Sequence, residues 1–169
     1  VAVDRASAER RAVGLHRYIQ ETLVSLEPKL RQGAHTVAVD CPDDIVVDSY
    51  PGALSQILTN LVMNSLTHAF AEGQAGHLTI GVEESPPGTV RLTYADDGQG
   101  IPAEHLPHIF DPFFTTRRGE GGTGLGLHIV HNLAVGPLKG AIAVESEPGQ
   151  GARFVLTFPT VTPEDGTGA

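Results

Sequence analysis

An acidic residue followed by alternating glycines, Asp96-Asp97-Gly98-Gln99-Gly100, and a second glycine run, Gly121-Gly122-Thr123-Gly124-Leu125-Gly126-Leu127, lie downstream of a stretch that repeats asparagine at Asn60 and Asn64. Each of these residue types suits one part of a nucleotide. A carboxylate is acceptor-only, so Asp96 can take a hydrogen bond from an exocyclic amino group and select adenine over a base with a carbonyl there. Without a Cβ, Gly98 and Gly100 let backbone approach a flat ring. Gly122, Thr123, Gly124 and Gly126 lead into a helical pattern, where free N–H groups and the positive dipole end suit phosphate oxygens. That dipole is worth about 0.3–1 kcal/mol at an exposed site, so a polyphosphate also calls for a cation and a basic side chain. Asn64 offers an amide oxygen to Mg²⁺, a hard cation that takes few protein ligands alongside phosphates. The adjacent Arg117 and Arg118 are the candidate phosphate partners.

Single pieces of this set have ordinary readings. Asp and Gly are common turn residues, and asparagine on a solvated helix face is commonplace. Asparagine is nevertheless a poor helix former, so two of them one turn apart want a reason. A dinucleotide fingerprint needs a strand directly before its glycines, whereas Phe113-Phe114-Thr115-Thr116-Arg117-Arg118 precedes them here, and no Gly-Lys-Ser/Thr follows to make a P-loop.

The elements that must position these residues follow from periodicity. Leu15, Ile19, Leu23, Leu26 and Leu30 predict an amphipathic helix over 12–30 that covers a sheet face. Two short strands are expected over 35–40 and 45–50, then a helix over 52–70 begun at Pro51. On that helix Gln56, Asn60, Asn64 and His68 recur every fourth residue and form one polar stripe. A hairpin over 77–84 and 90–96 delivers Asp96 at its end. A short helix over 103–110, an irregular lid over 111–122, a helix over 125–135 and a closing hairpin over 141–146 and 152–158 complete the pattern. The tail from 160 is expected to be disordered.

The chain has 169 residues, 40% hydrophobic, enough for one core and one domain. A formal charge of -9 argues against nucleic acid or an anionic membrane as partner, so a phosphate ligand must be captured locally. Cys41 is the single cysteine, which suits a reducing compartment, and the cytoplasm is the expected location. No apolar run is long enough to span a bilayer. The start at Val1 suggests a piece of a longer chain, whose parent could carry an anchor.

Taken in order, the motifs resemble the GHKL, or Bergerat-fold, ATP-binding superfamily, and within it the catalytic domain of sensor histidine kinases. Gln56-Ile57-Leu58-Thr59-Asn60-Leu61-Val62-Met63-Asn64-Ser65 is similar to the N box, and Asp96-Asp97-Gly98-Gln99-Gly100-Ile101-Pro102 to the G1 box. Ile109-Phe110-Asp111-Pro112-Phe113-Phe114 is similar to the F box, and Gly122-Thr123-Gly124-Leu125-Gly126-Leu127 to the G2 box. The resemblance covers residues 15–159, with 1–14 as a linker or the end of a preceding helical domain and 160–169 as a tail. It implies an α/β fold, a two-layer sandwich with helices on one face of a mixed, mostly antiparallel sheet.

The resemblance implies ATP and Mg²⁺ as ligands, with Asn64 on the metal and Asn60 lining the phosphate region. His68, Asp96, Gly98, Gly100 and Ile101 would surround the base end. Phe114, Thr115, Gly122, Thr123, Gly124, Leu125 and Gly126 would contact the nucleotide from the lid and its hinge, and Phe110, Phe113 and Phe114 would anchor that lid. Asn60, Asn64, Arg117 and Arg118 form the implied catalytic set. Thr67 and His68 stand where many relatives carry lysine and tyrosine, which leaves phosphate neutralisation to Arg117 or Arg118. The lid resembles the short lid of nitrogen-sensor-like kinases. Asn60 also stands where the ATP-hydrolysing relatives carry a glutamate, so transfer to another nucleophile is expected rather than hydrolysis.

That nucleophile, in the resembled family, is a histidine on a separate dimerisation domain, followed by a response-regulator receiver as the next partner. No His-Glu/Asp-x-x-x-Pro context occurs here; His16 is followed by Arg17-Tyr18-Ile19 and reads as a helix entry. His105 with His108 and His128 with His131 have metal-compatible spacing but lack cysteine or carboxylate co-ligands, and read as surface or capping residues. The competing readings are an anti-sigma-type serine kinase and a regulatory nucleotide-binding module without transfer activity.

Overall fold

The computed structural model describes residues 9–114 and 126–164. In chain order they form β1 (Arg11–Gly14), α1 (Leu15–Gln32), β2 (Thr36–Asp40), β3 (Val46–Ser49), α2 (Pro51–Asn64) and a π-helical turn (Ser65–Ala69). Then come β4 (His77–Glu84), β5 (Thr89–Asp96), a 3-10 turn (Leu106–His108), α3 (Gly126–Val135), β6 (Ala141–Ser146) and β7 (Ala152–Pro159).

Five strands pair in the order β2-β4-β5-β7-β6, with β2 parallel to β4 and every other pair antiparallel. Alternation along the strands decides which face is covered. Leu78, Ile80, Val90, Leu92, Tyr94, Phe154, Leu156 and Phe158 are buried, while Thr79, Glu83, Arg91 and Arg153 between them are exposed. A one-residue slip would turn this whole apolar row to water, so the pattern fixes the register. Against the apolar face lie α1 through Leu15, Ile19, Leu26 and Leu30, and α2 through Leu54, Ile57, Leu58, Leu61 and Val62. α3 adds Val130 and Ala134. Each such aliphatic side chain contributes about 1.5–3 kcal/mol on burial. The expected two-layer sandwich is what forms.

The structure departs from expectation in four places. First, Arg11–Gly14 is a strand antiparallel to β3, pairing Arg11 with Ser49 and Gly14 with Val46, so β2 and β3 belong to different sheets. Second, residues 160–162 join that small sheet: Asp48 N–H donates to Thr160 O at 2.7 Å and Thr162 N–H to Asp48 O at 2.9 Å. The Thr162 hydroxyl donates to Ser49 Oγ at 2.6 Å, and both side chains are buried. Residues expected to be tail therefore hold β3.

Third, the stretch over 103–110 is a chain of turns with only a 3-10 segment rather than a helix. Pro107 has no N–H for an α-helical bond, and the chain closes i to i+3 steps instead, from His105 to Pro102, His108 to His105 and Asp111 to His108, each 2.9 Å. Fourth, the expected α-helix over 52–70 stops being α-helical at Asn64 and widens into the π turn. As expected, α1 runs through Pro28, which removes one helical N–H at an exposed position while Leu26 and Leu30 stay buried.

Candidate functional site

Asp96 ends β5 on the inward face of the sheet and is only 8% exposed. A buried carboxylate needs partners, and it has three. Its Oδ1 accepts from the backbone N–H of Gly98 at 3.0 Å and of Ala152 at 3.1 Å, and its Oδ2 accepts from the Ser65 hydroxyl at 2.9 Å. A carboxylate has about four lone-pair sites, so one remains for an external donor, on Oδ2. Asp97 points away: its Oδ1 accepts from His77 N–H at 2.8 Å at the start of β4.

Close backbone approaches explain the glycines beside Asp96. A Cβ at Gly98 would lie 2.4 Å from Ala69 O, and one at Gly151 would lie 2.0 Å from Asp96 O with φ at +74°. Gly100 adopts φ +78°, where an L side chain is strained. The 97–101 loop is thereby wedged between the π turn and the β6–β7 turn, tied by Gln99 N–H to Ala69 O at 2.8 Å and by Gly149 N–H to Gln99 O at 2.7 Å. Ser146 Oγ accepts from Ile101 N–H at 2.8 Å and donates to Gly151 O at 2.7 Å.

The polar stripe of α2 divides into two kinds of group. Gln56 Nε2 donates to Asn60 Oδ1 at 2.7 Å, and Asn60 Nδ2 donates to Gly126 O at 3.2 Å. Asn60 is thus committed to joining α2 to the first residue of α3. Asn64 is half-buried and lines a cavity, and no hydrogen bond from another described residue engages its amide. The π turn that follows carries Ser65 to Asp96 and His68 to the cavity wall; wide turns of this kind recur at functional sites.

That cavity measures about 450 Å³, within the range of small-molecule sites. It is lined by Asn64 and His68 from α2 and the π turn, by Gln99, Gly100, Ile101 and Pro102 from the glycine loop, by His105, Ile109 and Phe114 from the turns that follow, and by Leu127 and Pro148. The lining is mostly apolar with a few amide groups, as a flat base with a polar edge would require. Asp96 sits beyond the glycine loop and is not itself part of the lining. Phe110 packs edge-on to Phe154 with ring centroids 6.3 Å apart, and His128 Nδ1 lies 3.2 Å from Phe110 O, so this wall is tied to α3. Phe114 faces the cavity beside His105 at 5.4 Å. Phe113 is 59% exposed at φ +65°.

A family model for histidine kinase-, DNA gyrase B- and HSP90-like ATPases matches residues 50–162, from the start of α2 through β7. This chain belongs to that family. It is an ATP-binding domain of the histidine kinase-, DNA gyrase B- and HSP90-like ATPases. Among its relatives is sensor histidine kinase ZraS of Escherichia coli O157:H7, 39% identical over 161 residues, covering 93% of this chain and 33% of that protein. Sensor histidine kinase AruS of Pseudomonas aeruginosa is 39% identical over 152 residues, covering 83% and 14%. The chain thus spans a third or less of the length of these curated relatives. The nucleotide-free catalytic domain of histidine kinase ThkA superposes with a TM-score of 0.78 at 30% identity, covering 91% of this chain and 97% of that one.

Of the site residues expected from the sequence, Asn64, His68, Gly100, Ile101 and Phe114 line the cavity, while Asp96 is bonded to Gly98 and Asn60 to Gly126 outside that lining. Thr115, Arg117, Arg118, Gly122, Thr123, Gly124 and Leu125 lie outside the described residues. Sequence reasoning missed His105, Ile109, Leu127 and Pro148 as cavity walls. Ile109 and Leu127 stand at the edges of the F-box and G2-box segments but carry the signal of ordinary core residues, and Pro148 lies in a hairpin turn distant in sequence with no local pattern to mark it. Three other histidines contact neighbouring side chains: His16 Nδ1 is 3.2 Å from Asp43, His108 Nδ1 is 3.1 Å from Asp111, and His128 meets Asn132 at 3.2 Å. Among the described residues no group of three or more His, Cys, Asp or Glu side chains could hold a metal ion, and no helix is long and apolar enough to cross a membrane.

Proposed function

We propose that this domain binds ATP with Mg²⁺ and donates the γ-phosphoryl group to a histidine on a separate dimerisation domain, as the catalytic part of a sensor histidine kinase. The observation that carries the reading is Asp96, held by three hydrogen bonds with one acceptor site left over and joined through Ser65 and Gly98 to the elements that line a cavity with Asn64 and Gly100. The spare acceptor suits the adenine amino group. Ile101, Ile109 and Leu127 offer the ring an apolar slot, and Gly100 lets the loop come close to it.

Asn64 fits the metal, because its amide oxygen is a hard donor and the described structure gives it no other task. When bound, Mg²⁺ would neutralise charge on the phosphates. Arg117 and Arg118 are proposed to meet the same phosphates. In the transfer an imidazole nitrogen forms a bond to the γ-phosphorus as the bridging β–γ oxygen bond breaks and leaves with ADP, so catalysis rests on positioning and charge stabilisation.

Asn60 supports transfer over hydrolysis. It is an amide rather than a carboxylate, and its side chain already bridges Gln56 and Gly126, so it is a poor base for water. The solved relatives favour the same partners: one is ShkA in complex with AMPPNP, 29% identical with a TM-score of 0.73, covering 93% of this chain and 33% of that one. Another is ThkA in complex with response regulator protein TrrA, 26% identical with a TM-score of 0.74, covering 97% and 47%. A receiver domain is the proposed next acceptor, and ATP as donor makes the cytoplasm the proposed location. The test is labelled-ATP transfer to a histidine-bearing dimerisation domain of the same parent, with wild type and Asn64→Ala. Acid-labile phosphate appearing on the acceptor with wild type is expected; phosphate on serine, or none despite tight ATP binding, would reject the kinase reading.

A further inference from the structure

Tyr94 is a polar group on an apolar row. It lies in β5 between Leu92 and Asp96 on the inward face, wholly buried, with its ring 6.4 Å from that of Phe154. A phenylalanine would fill the same space without a hydroxyl to satisfy, and a buried hydroxyl left unpaired costs about 1–3 kcal/mol. The hydroxyl is paired: it lies 2.8 Å from Ser65 Oγ, which is equally buried.

The direction of this chain of bonds follows from counting protons. The Asp96 carboxylate only accepts, so Ser65 must donate its single hydroxyl hydrogen to Oδ2 at 2.9 Å. Ser65 therefore accepts from Tyr94, and the sequence runs Tyr94 to Ser65 to Asp96. Burial, and to a lesser degree the nearby Asp96 charge, push the Tyr94 hydroxyl well above the usual phenol range, so it stays a donor at any physiological pH. Tyr94 matters because Ser65 has an alternative. A serine in a helical turn can turn its hydroxyl back to the carbonyl four residues earlier, here Leu61. By occupying the acceptor side of Ser65, Tyr94 favours the rotamer in which the hydrogen points at Asp96.

We propose that Tyr94, acting through Ser65, is a positioning residue for base recognition: it holds the Asp96 Oδ2 so that its spare lone pair meets an amino group of the bound base. This rests on the reading that Asp96 receives the adenine amine. The other two bonds to Asp96 both fall on Oδ1, from backbone that cannot be removed by substitution. Ser65 is the one partner on the oxygen that the base would share, so the Tyr94–Ser65 pair is where selectivity is adjustable.

The test is calorimetric titration of wild type, Tyr94→Phe and Ser65→Ala with ATP, GTP and inorganic tripolyphosphate, all with Mg²⁺. Tyr94→Phe keeps the ring and its packing. It is expected to weaken ATP about three- to ten-fold while leaving GTP and tripolyphosphate within two-fold, and Ser65→Ala to weaken ATP at least as much. Equal losses for all three ligands would show a merely structural tyrosine and overturn the proposal, as would undiminished ATP affinity in both variants. Failure of the underlying reading would show differently: wild type itself would not prefer ATP over GTP.

Discussion

The two ends of the cavity are built on opposite plans. At the Asp96 end the protein fixes the carboxylate and leaves one acceptor site on it: three bonds reach it, a buried Tyr94–Ser65 pair backs it, and glycines at 98 and 151 allow backbone contacts that no side chain would fit. At the Asn64 end the amide lines the cavity and the described structure offers it no bond. A rigid end suits a base, whose recognition requires donors and acceptors fixed in advance. An open end suits phosphates and a hydrated cation, whose ligands are completed by the nucleotide itself.

The contrast yields predictions that differ in kind as well as size. The largest effect belongs to Gly151→Ala. A left-handed φ and a Cβ 2.0 Å from Asp96 O together should lower stability by about 2–4 kcal/mol, visible as a marked drop in melting temperature. An unchanged melting temperature would show that the Asp96 end is looser than described. Asp96→Asn should cost on both counts, about 1–3 kcal/mol of stability and about 10- to 100-fold in ATP affinity. Its amide nitrogen would face the Gly98 and Ala152 N–H donors in the place of Oδ1, or Ser65 and the base in the place of Oδ2. Thermal unfolding and calorimetry on the same sample check the pairing of the two losses.

Asn64→Ala should separate what Asp96→Asn couples. Stability should stay within about 0.5 kcal/mol of wild type, while ATP affinity with Mg²⁺ falls about ten-fold and affinity without Mg²⁺ is nearly unchanged. Equal losses with and without the cation would remove Asn64 from the metal. Asn60→Ala should do the converse, costing about 0.5–1.5 kcal/mol of stability through the lost Gln56 and Gly126 bonds, with Mg²⁺ dependence retained.

The smallest effect at ordinary pH comes from Tyr94. Its folded pKa is raised above the unfolded value of about 10, so the folded state holds the proton more firmly. Its contribution is fully present below pH 10 and is lost as pH rises beyond that value. Urea melts from pH 8 to 11 should show stability falling at the alkaline end, and less so in Tyr94→Phe.

Much of the site was legible in the sequence because its residues are local in the chain and chemically marked. Asn60 and Asn64 share a helix face, and Asp96, Gly98 and Gly100 share one loop. The helical and strand periods fixed the layers, since one buried face imposes a strict alternation. What escaped was long-range or exceptional. The π turn at 65–69 has no marker in Ser-Leu-Thr-His-Ala, yet it turns Ser65 toward Asp96. The pairing of 160–162 with β3 joins residues more than a hundred apart, which no local window contains. Likewise Pro107 lies inside the helix expected over 103–110, where its missing N–H leaves turns in place of α-helical bonds.

The central claim is that a carboxylate fixed by its own protein reads an adenine amine while an unengaged asparagine awaits the cation. Its most direct test is isothermal titration of the wild-type domain with ATP and GTP, each with and without Mg²⁺. One ATP per chain, bound more tightly than GTP in both conditions and strengthened by Mg²⁺, is the predicted result. Equal affinity for the two nucleotides would contradict it.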